Sequence, residues 1–496
     1  MNCIKSLLFI SFFCFTAYQS NSQEKQLKLT LDEVIALAKE QSYDALIAKH
    51  TYLGSYWQYR TYRSGLLPNI DLSTNLLNYR NSIDVFTNED GDNYFYQEQN
   101  SSDVNISVNQ AVPFSGGSIF MQSNLGRLDN FLADSSQISP QFSSTPISVG
   151  FRQPLFSFNN LKWERKIEPV KYEEAKRKYI EALEQISLRA INNFFDLALA
   201  QINLEIAKVN FNNNDTLYKI ANGRFNIGTI AKNELLQMEL NFLNSRSELE
   251  RAKLDLEIRE FQLQSFLGYN ELVNIELLIP QETPSAVVTY DKTISLAQQN
   301  NPSVLSFDRR LIEAEREVAR AKSQNRFQAD LYTSYGLTDQ GDKVPEVYKE
   351  LDNSLLINVG VSVPILDWGM GRGLVKIAKS NQEVINASVI QDKIEFEQNI
   401  YLKVREFNIQ QTQFDIAAKA DTIAMSKYEV TKQRFLIGKI DVLELNIALT
   451  EKDSKRRGYI AALRNYWRNY YTLRQLTQYN FIENKPLVAD YEELVR

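Results

Sequence analysis

The chain has 496 residues, and its 61 acidic against 55 basic side chains give a formal charge of −6, the wrong sign for a nucleic-acid surface. One histidine, His50, and two cysteines, Cys3 and Cys14, exclude chemistry that needs a histidine cluster, a disulfide framework or a set of thiolate ligands. The length predicts two or three domains, yet the only seam is the short stretch from Pro280 to Pro284, with no Gly/Ser-rich linker around it.

At the N-terminus, MNCIKSLLFISFFCFTAYQSNSQ sets Lys5 ahead of an apolar run from Leu7 to Phe15, with small residues at Ser20 and Ser22. That layout predicts a secretory signal over residues 1–22. Both cysteines fall inside it, so an exported chain without cysteine is expected. No later run holds 18 apolar residues, and no membrane-spanning helix is expected. The first helix is announced by LTLDEVIALAKEQ, in which Thr30 and Glu33 have the spacing of a capping box, each satisfying a backbone N–H that the helix start leaves open.

Strand periodicity follows. VNISVNQAVP alternates Val104, Ile106 and Val108 with polar residues, and PISVGFRQP alternates Ile147, Val149 and Phe151 with Ser148, Gly150 and Arg152. A period of two gives one apolar and one polar face. Both runs end in a proline and a bulky apolar residue, Pro113-Phe114 and Pro154-Leu155. Proline stops ladder pairing, which predicts exits at one common level. Between the two runs FSGGS reads as a turn, SIFMQSNLGRL as a returning strand and a Ser-rich stretch as a loop. Four strands are therefore expected between about residues 70 and 154.

A very long helix then runs from about Leu161 to Ala221. Leu183, Ala190, Leu197, Leu204 and Phe211 recur every seven residues, and Leu188, Phe195, Ile202 and Val209 form a second series. At about 100° per residue the two seams stand roughly 140° apart, so the helix touches two neighbours. It stops at RFNIGTI, where Gly228 supplies a positive φ for the turn, and a return helix begins near Lys232.

The remainder repeats this plan. TYDKTISLAQQNNP from Thr289 matches the first helix at an offset of 259, pairing Ile294, Leu296 and Ala297 with Ile35, Leu37 and Ala38. The same offset pairs Asp330-Leu331 with Asp71-Leu72. LLINVGVSVPIL alternates Ile357, Val359, Val361 and Val363 with Asn358, Gly360 and Ser362, and its Pro364 lies 210 residues beyond Pro154. RFLIGKI at Arg434 stands 210 residues after RFNIGTI at Arg224. Two unrelated patterns at one offset establish an internal repeat. The second half has two strands, between about 327 and 364, and a long helix from about Gly373 to Arg434. Ile400, Phe407 and Phe414 echo the first seam, whereas Arg405, Thr412 and Lys419 erode the second. Gly438 turns the chain, and a return helix begins near Asp441.

Enzymatic readings fail on the residues. His50 has no partner cluster around it. GRFNIGT has the glycine frame of a phosphate loop but Thr229 in place of its lysine. GMGRG from Gly369 follows a strand, but the sixty-residue helix behind it is no dinucleotide-binding crossover. A carbohydrate-cleaving enzyme would need paired carboxylates in a cleft. No metal site and no cofactor are expected. Trp163 and Trp368, just past the proline exits, suit either a lipid interface or the packing of the corner.

Amphipathic strands that span a bilayer must close their sheet, and four or six strands are too few to close alone. Several copies must share one barrel. With its LTLDEVIALA opening, PLF and PIL strand exits, RFNIG and RFLIG tips and duplicated helix-strand-strand-helix order, the chain resembles the TolC-like outer-membrane efflux protein family over residues 29 to 478. The resemblance implies a mainly α fold with membrane β structure: long antiparallel helical hairpins forming an α-barrel in the periplasm, and a transmembrane β-barrel shared by a homotrimer. Its parts would be a first repeat at 23–288, a second at 289–478 and a tail at 479–496. It implies an outer-membrane exit duct, not an enzyme, working with a periplasmic adaptor and an inner-membrane pump. A non-conducting periplasmic coiled-coil scaffold or adaptor is the alternative, and it has no use for alternating strands.

From the same resemblance, Arg224, Phe225 and Gly228 with Arg434, Phe435 and Gly438 are the expected adaptor-docking tips. Asp441 and Glu444, with Glu234 in the first copy, are candidates for an acidic periplasmic gate. Their competing role is helix capping. Ala231 stands opposite Asp441, which favours Asp441 for the gate and Glu444 for the cap. Two departures from the family stand out. Its second tip tends to carry acids six and nine residues past the glycine, where this chain has Glu444 and Ile447. The first half also carries an extra strand pair, making eighteen strands in a trimer where the family has twelve, unless the pair is a plug or an external hairpin.

Overall fold

The computed structural model describes residues 27–88, 91–131, 138–269, 275–280, 283–284 and 286–495. The expected signal at 1–22, the Ser-rich stretch at 132–137 and residues 281–282 of the Pro280–Pro284 seam lie outside the described residues.

β1 (Leu27–Thr30) leads into α1 (Leu31–Gln41). The capping box is present: Thr30 Oγ1 accepts the Glu33 N–H at 3.3 Å, and the Glu33 carboxylate accepts the Thr30 N–H at 2.7 Å. Ser42 divides the first helix, and its Oγ accepts the Ala45 N–H at 3.2 Å to start α2 (Tyr43–Ser64). Four strands follow as expected, β2 (Asn69–Asn88), β3 (Gly91–Val112), β4 (Gly117–Phe131) and β5 (Ile138–Leu155). α3 (Asn160–Asn226) and α4 (Lys232–Leu267) make the first hairpin, and β6 (Ile275–Leu278) pairs in parallel with β1. The second half runs α5 (Tyr290–Asn300), α6 (Pro302–Gln324), β7 (Gln328–Gly341), β8 (Asp352–Ser362), α7 (Met370–Leu436) and α8 (Val442–Thr477). A tail of β9 (Tyr479–Asn480), β10 (Lys485–Pro486) and α9 (Tyr491–Val495) ends the chain.

The six longer strands form one antiparallel sheet in the order β2-β3-β4-β5-β7-β8. The extra pair of the first half, β3 and β4, is therefore part of the same sheet. β3 and β8 stop before Pro113 and Pro364 as expected, but Pro154 remains in the ladder opposite Asp330 and the strand ends at Leu155. Pro146 sits where the β5–β7 register shifts between Ser144 and Ile147. The ladder is interrupted there, so its missing N–H is tolerated.

The chain divides into two compact units, each drawing on both repeats. One holds the described residues up to Ala45, with those of Ile186–Pro284 and Gln410–Arg468. Within it α3 packs on α4 through Ala221, Leu235 and Met238, and α7 packs on α8 through Tyr428, Phe435, Leu445 and Ala448. The two hairpins are joined by polar contacts: Asn210 donates to Asp453 at 2.7 Å, Arg457 to Asn203 at 2.9 Å and Arg464 to Asp196 at 2.7 Å.

The other unit holds Leu46–Gln185, Ser285–Ile409 and Asn469–Arg496, including the sheet. Its helices are tied by ion pairs in which a buried carboxylate meets a partly buried arginine. Arg309 on α6 grips Glu174 on α3 at 2.7 and 3.3 Å, and Arg474 on α8 grips Glu184 on α3 at 2.9 and 3.1 Å.

The seam of α7 expected at Ile400, Phe407 and Phe414 is buried and continues through Asp421, Tyr428 and Phe435. At its second seam Arg405, Thr412 and Lys419 are exposed, as the expected erosion requires. Leu402, Ile409, Ile416, Ile423, Val430 and Ile437 also recur every seven residues, all exposed. Two residues past the buried series, they lie about 200° around the helix, on its opposite side. On α4, Leu236, Leu240, Leu243, Leu254, Ile258 and Phe261 make a second exposed stripe.

Candidate functional site

Both hairpin tips close by the same backbone device. At the first, the Gly228 N–H donates to the Phe225 carbonyl and the Thr229 N–H to the Arg224 carbonyl, both at 2.9 Å. At the second, Gly438 donates to Phe435 at 2.9 Å and Lys439 to Arg434 at 3.0 Å. This paired pattern consumes carbonyls that a helix end leaves open, and it needs a left-handed residue. Gly228 and Gly438 supply it with φ of 75° and 74°, as the sequence predicts.

The aromatic residues of the two heptapeptides are part of the hairpin packing. Phe435 is 7% exposed in the α7–α8 cluster, and Phe225 packs beside Ala221 and Met238 with the Lys232 ammonium 5.2 Å from its ring centre. Arg434 is exposed, and the most exposed large apolar side chain of each tip is an isoleucine, Ile227 at one and Ile437 at the other. Sequence reasoning missed both, although the signal was there: each immediately precedes its glycine in both copies.

A groove of about 570 Å³ lies between the tips, lined by Arg224, Glu234, Phe435, Gly438 and Asp441 together with apolar side chains such as Met238 and Ile440. It gathers candidates from both copies. Phe225, Gly228, Arg434 and Glu444 are not in its lining. The capping role falls on Asp441, not Glu444, because Asp441 Oδ1 accepts the Glu444 N–H at 2.9 Å. Ala231 offers α4 no such side chain.

At the strand-to-helix corner, Asp367 accepts the Gly369 and Gly371 N–H groups, both at 2.9 Å. Those backbone bonds, Gly371 first, hold its carboxyl below the usual carboxylate range. GMGRG is thus a capped corner with Gly369 at φ 85°. Trp368 beside it is 89% exposed, and the Lys166 ammonium lies 5.0 Å from the ring centre of Trp163. His50 is exposed on α2. Among the described residues, no group of three or more His, Cys, Asp or Glu side chains could hold a metal ion, and no helix is long and apolar enough to cross a membrane.

The sheet separates its side chains by face. Register places Ile70 beside Val108, Val108 beside Met121, Met121 beside Val149, Val149 beside Tyr335 and Tyr335 beside Leu355. One apolar row thus crosses all six strands. Ile70, Met121, Val149, Tyr335 and Leu355 are exposed, and Val108 is half-buried. Ile357, Val359 and Val361 extend the same face, and the opposite face carries Asp71, Ser107, Gln122, Ser148, Ser334 and Asn358.

A family model described as outer membrane efflux protein matches residues 35–269 and 293–477, one segment in each repeat. Among solved structures, the chain is similar to the CmeC outer membrane channel of Campylobacter jejuni, with 15% identity, a TM-score of 0.65, and coverage of 93% of this chain and 88% of that one. It is also similar to the outer membrane protein VceC of Vibrio cholerae, with 12% identity, a TM-score of 0.63, and coverage of 92% and 97%. For the MtrE outer membrane channel of Neisseria gonorrhoeae the values are 12%, 0.59, 92% and 91%. No curated protein matches the sequence significantly.

Proposed function

Because the chain belongs to the outer membrane efflux protein family, we infer that its two parts make one passive duct, a wall of strands in the outer membrane and helical hairpins in the periplasm. It is an outer-membrane efflux protein, the exit duct of a tripartite system. The observation that carries the reading is the apolar row across all six strands, a surface suited to lipid on one side and an aqueous lumen on the other.

A single copy cannot finish the structure. Among the described residues no strand pairs with the outer edges of β2 and β8, and the exposed stripes on α4 and α7 are apolar surface at helical spacing. Heptad stripes of this kind are covered by another helix. Two further copies in a homotrimer would cover both, α7 of one against α4 of the next. The groove between the tips, with Ile227, Ile437 and Leu443 exposed around it, suits an apolar helical hairpin from a periplasmic adaptor, which would connect the duct to an inner-membrane pump.

Fractionation with native mass measurement tests this reading. A trimer in the outer-membrane fraction is expected, and cells lacking the protein should retain a fluorescent efflux dye. A monomer in the soluble periplasm would exclude the duct.

A further inference from the structure

We propose that every copy contributes all six strands to the wall, with β8 of one copy pairing β2 of the next, so that three copies close a barrel of eighteen strands. This rests on the homotrimer inferred above and goes beyond it, since the resemblance implies twelve.

β2 and β8 are the two ends of the sheet order, and among the described residues no further strand pairs with either outer edge. Each neighbouring pair is antiparallel, and the count is even. β8 therefore runs opposite to β2, and the pair closing the ring would be antiparallel like the rest. Setting the start of β2 against the end of β8 brings Ile70 and Leu72 level with Val361 and Val359, all exposed in the single copy. The apolar band then passes from one copy to the next without a break. In hydrocarbon an open strand edge would leave backbone groups unpaired, which barrels avoid by closing.

The added pair behaves as wall, not as plug or external hairpin. Val104, Ile106 and Val108 of β3 and Ile119 and Met121 of β4 share one face with Val149 and Phe151 of β5. On the other face Phe120 of β4 lies across Gly150 of β5, so closely that a Cβ there would stand 2.1 Å from its ring. The same ring stacks on Tyr332 of β7, centroids 5.5 Å apart. One side chain thus spans three strands, and glycine at 150 provides its seat. Since barrel diameter grows roughly linearly with strand number, the ring would be about half again as wide as a twelve-stranded one, admitting bulkier solutes at the outer membrane.

Disulfide trapping tests the closure, and the described residues contain no cysteine to confuse it. Leu72→Cys combined in turn with Leu355→Cys, Ile357→Cys and Val359→Cys should link copies into dimer and trimer bands on oxidation. Two results would overturn the proposal while native mass still reports a trimer. Links between copies from β8 to Met121→Cys would place β2 and β3 outside the wall. A link within one copy from Leu72→Cys to Val149→Cys would place β3 and β4 outside it. A monomer by native mass would overturn the assembly, and the eighteen-stranded ring with it.

Discussion

Asp441 and Glu444 stand three residues apart, a spacing that serves a helix cap and an acidic ring equally well. The hydrogen bond from the Glu444 N–H to Asp441 gives the cap to Asp441. Asp441→Ala should cost about 0.5–2 kcal/mol, seen as a lower melting temperature. Asp441→Asn keeps the acceptor and should keep most of the stability. If that variant also loses cation preference in channel recordings, the charge has a role beyond the cap; unchanged conductance leaves capping alone. Glu174 makes a different case. Burial opposes its charge, but hydrogen bonds from Arg309 and Lys178 outweigh it and hold the carboxyl below its ordinary 4.5. A depressed folded value means that the stabilisation is complete above the unfolded value and is lost as pH falls through the folded one. Glu174→Gln should cost about 1.5–3 kcal/mol near neutrality, with the two melting temperatures converging below pH 4.5. A gap that stays constant into acid would assign the loss to packing instead.

On the strands, faces give the sharpest expectations. Val359→Arg should cost about 2–4 kcal/mol if the residue meets lipid near the midplane, while Asn358→Arg, on the lumen side, should cost little. Equal heat stability of the two barrels on gels would contradict the assigned faces. Gly150→Ala drives a methyl into the Phe120 ring, an overpacking of about 1–3 kcal/mol, and Phe120→Ala in the same chain should relieve part of it. The alternation behind these faces is legible in a few consecutive letters, because side chains point to opposite sides at every step. β2 and β3, at 20 and 22 residues, are less legible, since NSIDVFTN and GDNYFYQEQN lack clean alternation and are held as strands by each other's backbone.

For the assembly, Ile423→Glu on the exposed stripe of α7 is the informative change. The residue is 58% exposed in one copy, so protomer stability should move by no more than about 0.5 kcal/mol. The trimer should be lost, because a charge would enter the seam between copies. A trimer that survives would mean that α7 is not at the interface.

Sequence alone determined the repeat, the period of the alternating strand runs and of the long helices, the capping box at Thr30 and the two glycine turns, because each depends on neighbours within a few residues along the chain. It also carried the family, through motifs at fixed offsets. Tertiary structure decided which strand pairs with which, and so brought β3 and β4 into the sheet. It also separated the buried series on α7 from the exposed one, although both are written in apolar letters. It placed Phe225 and Phe435 in the hairpin cores and left Ile227 and Ile437 at the tips. Those outcomes depend on residues far apart in the chain competing for the same neighbours, and spacing along the chain does not record that competition.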